Sequence, residues 1–156
     1  MSYGKHLPST DPNVKYSPAA RESYDADLAA KVLEGRPTLV VCAGWMHILS
    51  NTFLEPLGQA GIPIINLHPA LPGEYDGAGA IQRAFDAFKQ GKTDHTGVMI
   101  HEVTSVVDGG RPIVTERIEI ETDDLQDLEG RIHAVEHQLI VEGTKIALNN
   151  LHEKRS

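Results

Sequence analysis

The chain has 156 residues, of which 40% are hydrophobic and 23% charged, and its formal net charge is −8. This composition predicts one globular domain with enough apolar content for a buried core. The negative charge argues against a nucleic-acid surface, which needs clustered Lys and Arg. No apolar stretch is long enough to span a bilayer, and the polar start from Met1 to Lys5 is unlike a signal region. A cytoplasmic protein that binds no membrane is expected.

The single cysteine, Cys42, excludes an intrachain disulfide. It lies inside the most apolar run of the chain, with no activating base beside it in the sequence. A buried structural thiol is therefore expected rather than a reactive one.

The first third of the chain predicts an arm, a helix and a strand. Residues 1–22 are expected to form a flexible arm, because three prolines stand among polar residues with little apolar content. A short helix from Ser23 should end at Gly35. The run Thr38–Ala43 is aliphatic without polar alternation, which predicts a strand covered on both faces, as in a parallel sheet.

The middle of the chain continues this alternation of helix and strand. Ser50 and Asn51 can cap a helix that ends at Gly61, and residues 62–68 predict the next strand. Beyond a loop at 69–79, Ala80–Gln90 has helical spacing with Ile81, Ala84, Phe85 and Phe88 turned inward.

Two strands and a long helix are predicted for the remainder. The strands, His95–Thr104 and Pro112–Glu121, are joined through Asp108-Gly109-Gly110 and should pair as a hairpin at a sheet edge. The helix runs from Asp124 to about Leu151. The predicted fold is α/β, with a mainly parallel Rossmann-like sheet flanked by helices and an antiparallel edge near the C-terminal part.

Three polar side chains suggest chemistry at a strand end. Asn66 and His68 would face the same way just before Pro69, at a loop edge rather than in the core. Asp108 stands on a glycine-rich turn, and a carboxylate beside an imidazole favours the imidazolium. An amide and an imidazolium can donate to the oxyanion of a formyl or acyl transfer, while the carboxylate moves protons. Each residue alone is also compatible with a structural role.

Three segments then carry a family resemblance. Val40–Leu49, Asn66–Gly73 and Val107–Gly110 resemble the phosphoribosylglycinamide formyltransferases of purine synthesis, and the resemblance is greatest to the fungal enzymes. It extends from about Tyr24 to Leu151. It implies that Asn66, His68 and Asp108 are catalytic, and that a formyl group passes from 10-formyltetrahydrofolate to the glycinamide amine.

The resemblance also implies binding residues and no metal. Those for the folate are Met46, His47, Ile48, Leu49, Gly77, Ala78, Val107 and Asp108. Those for the substrate are Met46, Pro69, His133 and Glu136. His47 stands where many bacterial members have arginine, and His133 where other members have lysine or glutamine.

One departure from the family lies at the start of the chain. The family begins with a strand and a Gly-rich phosphate loop, and neither occurs before Lys5. The chain is therefore expected to be N-terminally truncated, with an incomplete catalytic domain at 23–152, a tail at 153–156 and weak ribonucleotide binding. A sheet edge left open at 38–44 would favour a homodimer.

Several alternatives stay open. Other enzymes that use formyltetrahydrofolate, methionyl-tRNA formyltransferase and formyltetrahydrofolate hydrolase, share the Asn, His and Asp arrangement, and a non-catalytic folate-binding remnant would keep it too. His133-Ala-Val-Glu136-His137 fits an H-x-x-E-H zinc pattern but needs a third ligand from elsewhere. His101 is expected to be structural or to line the mouth of the site.

Overall fold

The computed structural model describes residues 17–155. The helices within this range are α1 (Pro18–Glu34), α2 (Asn51–Gln59), α3 (Ala80–Lys89) and α4 (Leu125–Arg155). The strands are β1 (Val40–Cys42), β2 (Ile64–His68), β3 (His95–Glu102) and β4 (Pro112–Glu119). The described residues fall into two compact units, the first made of 17–40 and 47–63 and the second of 41–46 and 64–155.

Helix α1 of the first unit begins earlier than predicted. Ser17 is its N-cap, with Oγ accepting a hydrogen bond of 3.1 Å from Ala20 N, and Pro18 occupies the first turn. Proline suits that position because its fixed φ is helical and no N–H is needed there. Residues 18–22 of the predicted arm are therefore helical, and the rest of the arm lies outside the described residues. Helices α1 and α2 pack together in this unit.

The sheet is mixed, with strand order β1-β2-β3-β4. β3 pairs antiparallel with both β2 and β4, so the antiparallel part reaches farther than the predicted edge. The strands predicted to be mainly parallel were identified by unbroken apolar runs. An antiparallel strand covered on both faces shares that pattern, as in β2, where the successive residues Ile64 and Ile65 are both buried.

Strand β1 is shorter than predicted and is not covered on both faces. Val41 is 39% exposed, whereas Cys42 is 7% exposed. Successive side chains of a strand point to opposite faces, and here only the face of Cys42 is covered. Burial raises the pKa of the Cys42 thiol to about 11, so the thiol stays protonated at neutral pH and the prediction of a buried thiol is confirmed.

The core of the second unit lies between the sheet and α4, which packs against β2, β3 and β4. Asp124 caps α4, since its Oδ1 accepts from Gln126 N at 2.9 Å. Gly143 allows the close approach of α4 to β3, because a Cβ there would lie 2.8 Å from Cγ1 and Cγ2 of Ile100. No helix described between residues 17 and 155 is long and apolar enough to cross a membrane. The fully buried side chains of β3 and α4 include Val98, Met99, Ile100, Leu128 and Ile132.

We expect Gly143→Ala to lower the free energy of unfolding by about 1–3 kcal/mol, because the new methyl group overpacks against Ile100. Gly130→Ala in the same helix is the matched control, since a Cβ there meets nothing within 4 Å. It should stabilise the chain by about 0.5–1 kcal/mol, the usual gain of replacing glycine inside a helix. Urea unfolding of both variants measures the difference, and equal effects would contradict the close packing.

Candidate functional site

The pairing of β2 with β3 brings two polar residues face to face. Asn66 lies opposite His101 in the antiparallel register, and His68 lies opposite Met99. Asn66 Nδ2 is 3.2 Å from His101 Nε2. Asn66 and His68 do stand at the end of a strand, as predicted, and His101 from the neighbouring strand joins them.

Asp108 completes this group from the loop between β3 and β4. Its Oδ2 accepts a hydrogen bond of 2.7 Å from Gly77 N and lies 3.5 Å from His68 Nδ1. Its Oδ1 lies 3.4 Å from His101 Nε2. One carboxylate is thus shared by two imidazoles and a backbone N–H. We call Asn66, His68, His101 and Asp108 the site cluster.

Asp108 has an unusual backbone conformation for a residue with a side chain, with φ of +52°. This left-handed region is sterically costly for most residues and least so for Gly, Asn and Asp. The contacts of the carboxylate with Gly77, His68 and His101 stabilise that conformation and aim the side chain into the cluster.

His68 is buried, which corrects the expectation that it lies at a loop edge outside the core. The residue is the last of β2 and is 4% exposed, because its ring is turned toward Asp108 of the loop between β3 and β4. Its Nδ1 faces Asp108, and its Nε2 has no hydrogen-bond partner among the described residues. An unpaired buried nitrogen is costly, so this atom marks a place where a ligand would gain a hydrogen bond.

His101 is held in one orientation by its own strand. Its Nδ1 donates to the carbonyl oxygen of Glu102 at 2.9 Å, which directs Nε2 toward the cluster. Gly110 makes room for that carbonyl, because a Cβ at this position would lie 1.6 Å from Glu102 O. This is the physical reason for the second glycine of the Asp-Gly-Gly turn.

The protonation of His101 selects its partner in the cluster. With Nδ1 donating to Glu102, a neutral ring accepts at Nε2 from the Asn66 amide. A protonated ring donates from Nε2 to Asp108 Oδ1 instead. The carboxylate of Asp108 thus faces both imidazoles of the cluster.

The formyl transferase family model matches residues 6–144, which is most of the chain. This chain belongs to the formyl transferase family. The resemblance found in the sequence is thereby confirmed at the level of the family.

Two curated relatives of this chain are named phosphoribosylglycinamide formyltransferase. That of Schizosaccharomyces pombe is 52% identical over 130 residues, which are 82% of this chain and 63% of the relative. That of Dictyostelium discoideum is 48% identical over 130 residues, 81% of this chain and 63% of the relative. The chain spans a little under two thirds of the length of these curated relatives.

Solved structures under the same name share the fold. The enzyme of Streptococcus pneumoniae aligns with a TM-score of 0.73 at 34% identity, covering 82% of this chain and 68% of the other. That of Campylobacter jejuni aligns with a TM-score of 0.73 at 31% identity, covering 82% and 63%. The predicted formyltransferase fold, a sheet flanked by helices, is confirmed.

Several of the predicted binding residues lie in the loops that follow β2 and β3, next to residues of the site cluster. Gly77 has φ of +83° and donates to Asp108, and Ala78 beside it is exposed. Pro69 is half-buried next to His68, and Val107 is 38% exposed next to Asp108. Asp76 was not predicted as a site residue. It forms with His68 and Asp108 a group of three potential metal ligands whose donor atoms lie within 4.8 Å of one another.

The other predicted binding residues belong to the 46–49 segment and to α4. Met46 is 82% exposed in the second unit, and Ile48 is 55% exposed in the first, where His47 Nε2 pairs with Asp25 and Leu49 is half-buried. On α4, His133 Nε2 is 3.9 Å from Glu136 Oε2. Burial raises the pKa of the Glu136 carboxyl, while the charges of His133 and His137 oppose that shift.

Sequence reasoning underrated His101 and did not foresee the role of the Gly77 backbone. Both depend on spatial neighbours 31 to 35 residues away along the chain. The one signal available in the sequence was the alternation of side chains between the two faces of β3. If the register had been known, His101 would have been expected on the same face as Asn66 and next to it.

We expect Gly110→Ala to destabilise the chain by about 1–3 kcal/mol, because the main chain at Glu102 must move to admit the methyl group. The displaced carbonyl should also release His101 Nδ1. Urea unfolding measures the first effect, and the ¹⁵N chemical shifts of the His101 ring measure the second. Gly130→Ala is the control, and unchanged His101 shifts in Gly110→Ala would contradict the role of this glycine.

Proposed function

We propose that this chain transfers a formyl group from 10-formyltetrahydrofolate to the amine of 5'-phosphoribosylglycinamide, a step of purine (IMP) biosynthesis. The names of its relatives support this reaction, and so does the residue chemistry of the site cluster. Asn66, His68 and Asp108 are the catalytic residues, and His101 is a positioning residue.

The unpaired Nε2 of His68 carries the proposal. It is the one buried side-chain atom of the cluster without a hydrogen-bond partner among the described residues, and it belongs to a ring whose second nitrogen faces a carboxylate. A formyl oxygen beside it would satisfy this atom. A protonated His68 would then donate to that oxygen, and its charge would be balanced by Asp108.

Transfer begins when the lone pair of the substrate amine attacks the formyl carbon. A C–N bond forms, the C=O double bond opens, and the oxygen takes the negative charge of a tetrahedral intermediate. The amide of Asn66 and the imidazolium of His68 donate hydrogen bonds to this oxyanion. Donors fixed before the reaction stabilise the developing charge without reorganisation.

The intermediate collapses by releasing the folate nitrogen. The attacking amine loses one proton, and N10 of the folate gains one as its bond to the formyl carbon breaks. Asp108 accepts the proton from the amine, directly or through water, and returns it toward N10. His101 assists by holding either the Asn66 amide or Asp108 Oδ1 in place, according to whether Nε2 accepts or donates.

The proposal also assigns residues that bind the two substrates. The 46–49 segment borders the pterin of the folate, and Gly77, Ala78 and Val107 line the path of its formyl group. Pro69 and Met46 contact the glycinamide. His133 and Glu136, adjacent on one face of α4, contact the phosphate and the ribose.

The remaining parts of the proposal concern assembly and location. We place the enzyme in the cytoplasm, where it meets small-molecule substrates only. A homodimer is proposed through β1, which lies at one end of the strand order and leaves Val41 exposed. Light scattering should give twice the chain mass of 17.0 kDa, and a mass of one chain would contradict the dimer.

Substitution of the catalytic residues should abolish transfer without a matching loss of fold. We expect His68→Ala and Asn66→Ala each to lower kcat about 10²–10³-fold, the usual effect of removing one oxyanion donor. Asp108→Asn should lower kcat about 10²–10⁴-fold, because the proton acceptor is lost while the Gly77 hydrogen bond survives. Formation of tetrahydrofolate, followed by absorbance, measures the rate.

His152→Ala is the control, since this histidine is exposed near the end of α4. It should leave kcat unchanged. Thermal unfolding of every variant separates lost chemistry from lost structure. Folate binding by the wild-type chain without transfer would reject the enzyme and favour a folate-binding module.

A further inference from the structure

A second buried carboxylate, Asp25, organises the first unit. It lies on α1 and is 0% exposed. Its Oδ1 is 2.5 Å from His47 Nε2, and its Oδ2 accepts a hydrogen bond of 2.6 Å from Ser50 N. Both partners belong to the loop of residues 43–50 that precedes α2, so the two oxygens of a single side chain hold the second half of that loop.

The loop has further attachments to α1, but they are weaker or more exposed. Arg21 Nη2 donates to Ile48 O at 3.4 Å, and Thr52 Oγ1 donates to Glu22 O at 2.9 Å. The ring of Tyr24 packs edge-on against that of His47, with centroids 5.6 Å apart. Among these described contacts, Asp25 makes the shortest and most buried ones.

Ser50 shows why a distant carboxylate is needed. It is the N-cap of α2, yet its hydroxyl makes no capping hydrogen bond and pairs with Thr52 Oγ1 at 2.7 Å. In a capping box a Glu or Gln side chain three residues after the N-cap accepts from the N-cap N–H, but Phe53 stands at that position. The N–H of Ser50 finds its acceptor on another helix instead, in Asp25. A packing role alone would not call for a charge, since burying a carboxylate is unfavourable unless donors converge on it.

We propose that Asp25 is a positioning residue for the folate co-substrate. This inference rests on the proposed function, in which the backbone of 46–49 borders the pterin. Asp25 is fully buried and does not touch the ligand itself. It holds His47 and Ser50 so that the intervening backbone keeps its binding shape before the folate arrives, which lowers the ordering cost of binding.

Asp25→Asn tests the proposal in the full chain. Asparagine keeps the size of the side chain and an acceptor for Ser50 N, but it cannot form an ion pair with His47. We expect the Kd for 5-formyltetrahydrofolate, measured by titration calorimetry, to rise about tenfold, the scale of one charge-assisted hydrogen bond. The KM for 10-formyltetrahydrofolate should rise in parallel, whereas kcat and the KM for the ribonucleotide should stay within about twofold.

Glu22→Gln is the matched control, because it makes the same change of charge on the same helix with an exposed side chain. It should leave every constant unchanged. Thermal unfolding shows whether each variant is folded. An Asp25→Asn chain that binds folate as the wild type does, or that loses affinity for both substrates equally, overturns the inference.

A pair of His47 variants gives the answer even if Asp25→Asn does not fold. His47→Gln keeps a side-chain N–H that can reach Asp25, whereas His47→Leu has none. We expect His47→Gln to bind 5-formyltetrahydrofolate several-fold more tightly than His47→Leu, and equal losses would overturn the inference.

The outcomes also separate the two proposals. A wild-type chain that binds the folate without formyl transfer rejects the proposed function, and the calorimetric comparisons still decide on Asp25. A wild-type chain that transfers formyl while Asp25→Asn binds normally rejects the inference alone. A wild-type chain that binds no folate contradicts both.

Discussion

The shared carboxylate of Asp108 is the interaction on which the site depends. It joins a loop after β2, through Gly77 N, to imidazoles on β2 and β3. A carboxylate removed from water must keep donors around it, so none of these segments can shift without leaving a buried charge unpaired. The positive φ of Asp108 is stabilised by the same contacts. Chemistry and local fold therefore rely on one side chain.

The antiparallel register of β2 and β3 sets the rest of the geometry. It places Asn66 opposite His101, and a slip of one residue would put these two side chains on opposite faces of the sheet. The register is in turn held by close packing that only glycine permits, at Gly110 beside Glu102 and at Gly143 beside Ile100. Two glycines outside the site cluster thus help to position the hydrogen-bond donors of the cluster.

Both units use a buried acid to order a loop. Asp108 orders the loop that contains Gly77, and Asp25 orders the one that contains His47. In each case the acid receives a backbone N–H and faces an imidazole, which orients both the main chain and a side chain. Preorganisation of this kind suits the proposed formyl transfer, because the loops need not be ordered when the substrates arrive.

The sequence by itself determined most of the helices and strands and singled out Asn66, His68 and Asp108. Helical spacing in Ala80–Lys89, apolar runs at β2 and β3, and turn residues at Asp108-Gly109-Gly110 are local signals. The start of α1 was within reach as well, because Ser17-Pro18 is a common beginning of a helix.

The tertiary structure alone decided the role of His101, the burial of His68, the exposure of Val41 and the partners of Asp25. Each depends on strand register or on contacts between segments 22 or more residues apart. No periodicity within one segment encodes such pairings. They arise when buried donors and acceptors must find each other across the fold, because water is no longer available to them.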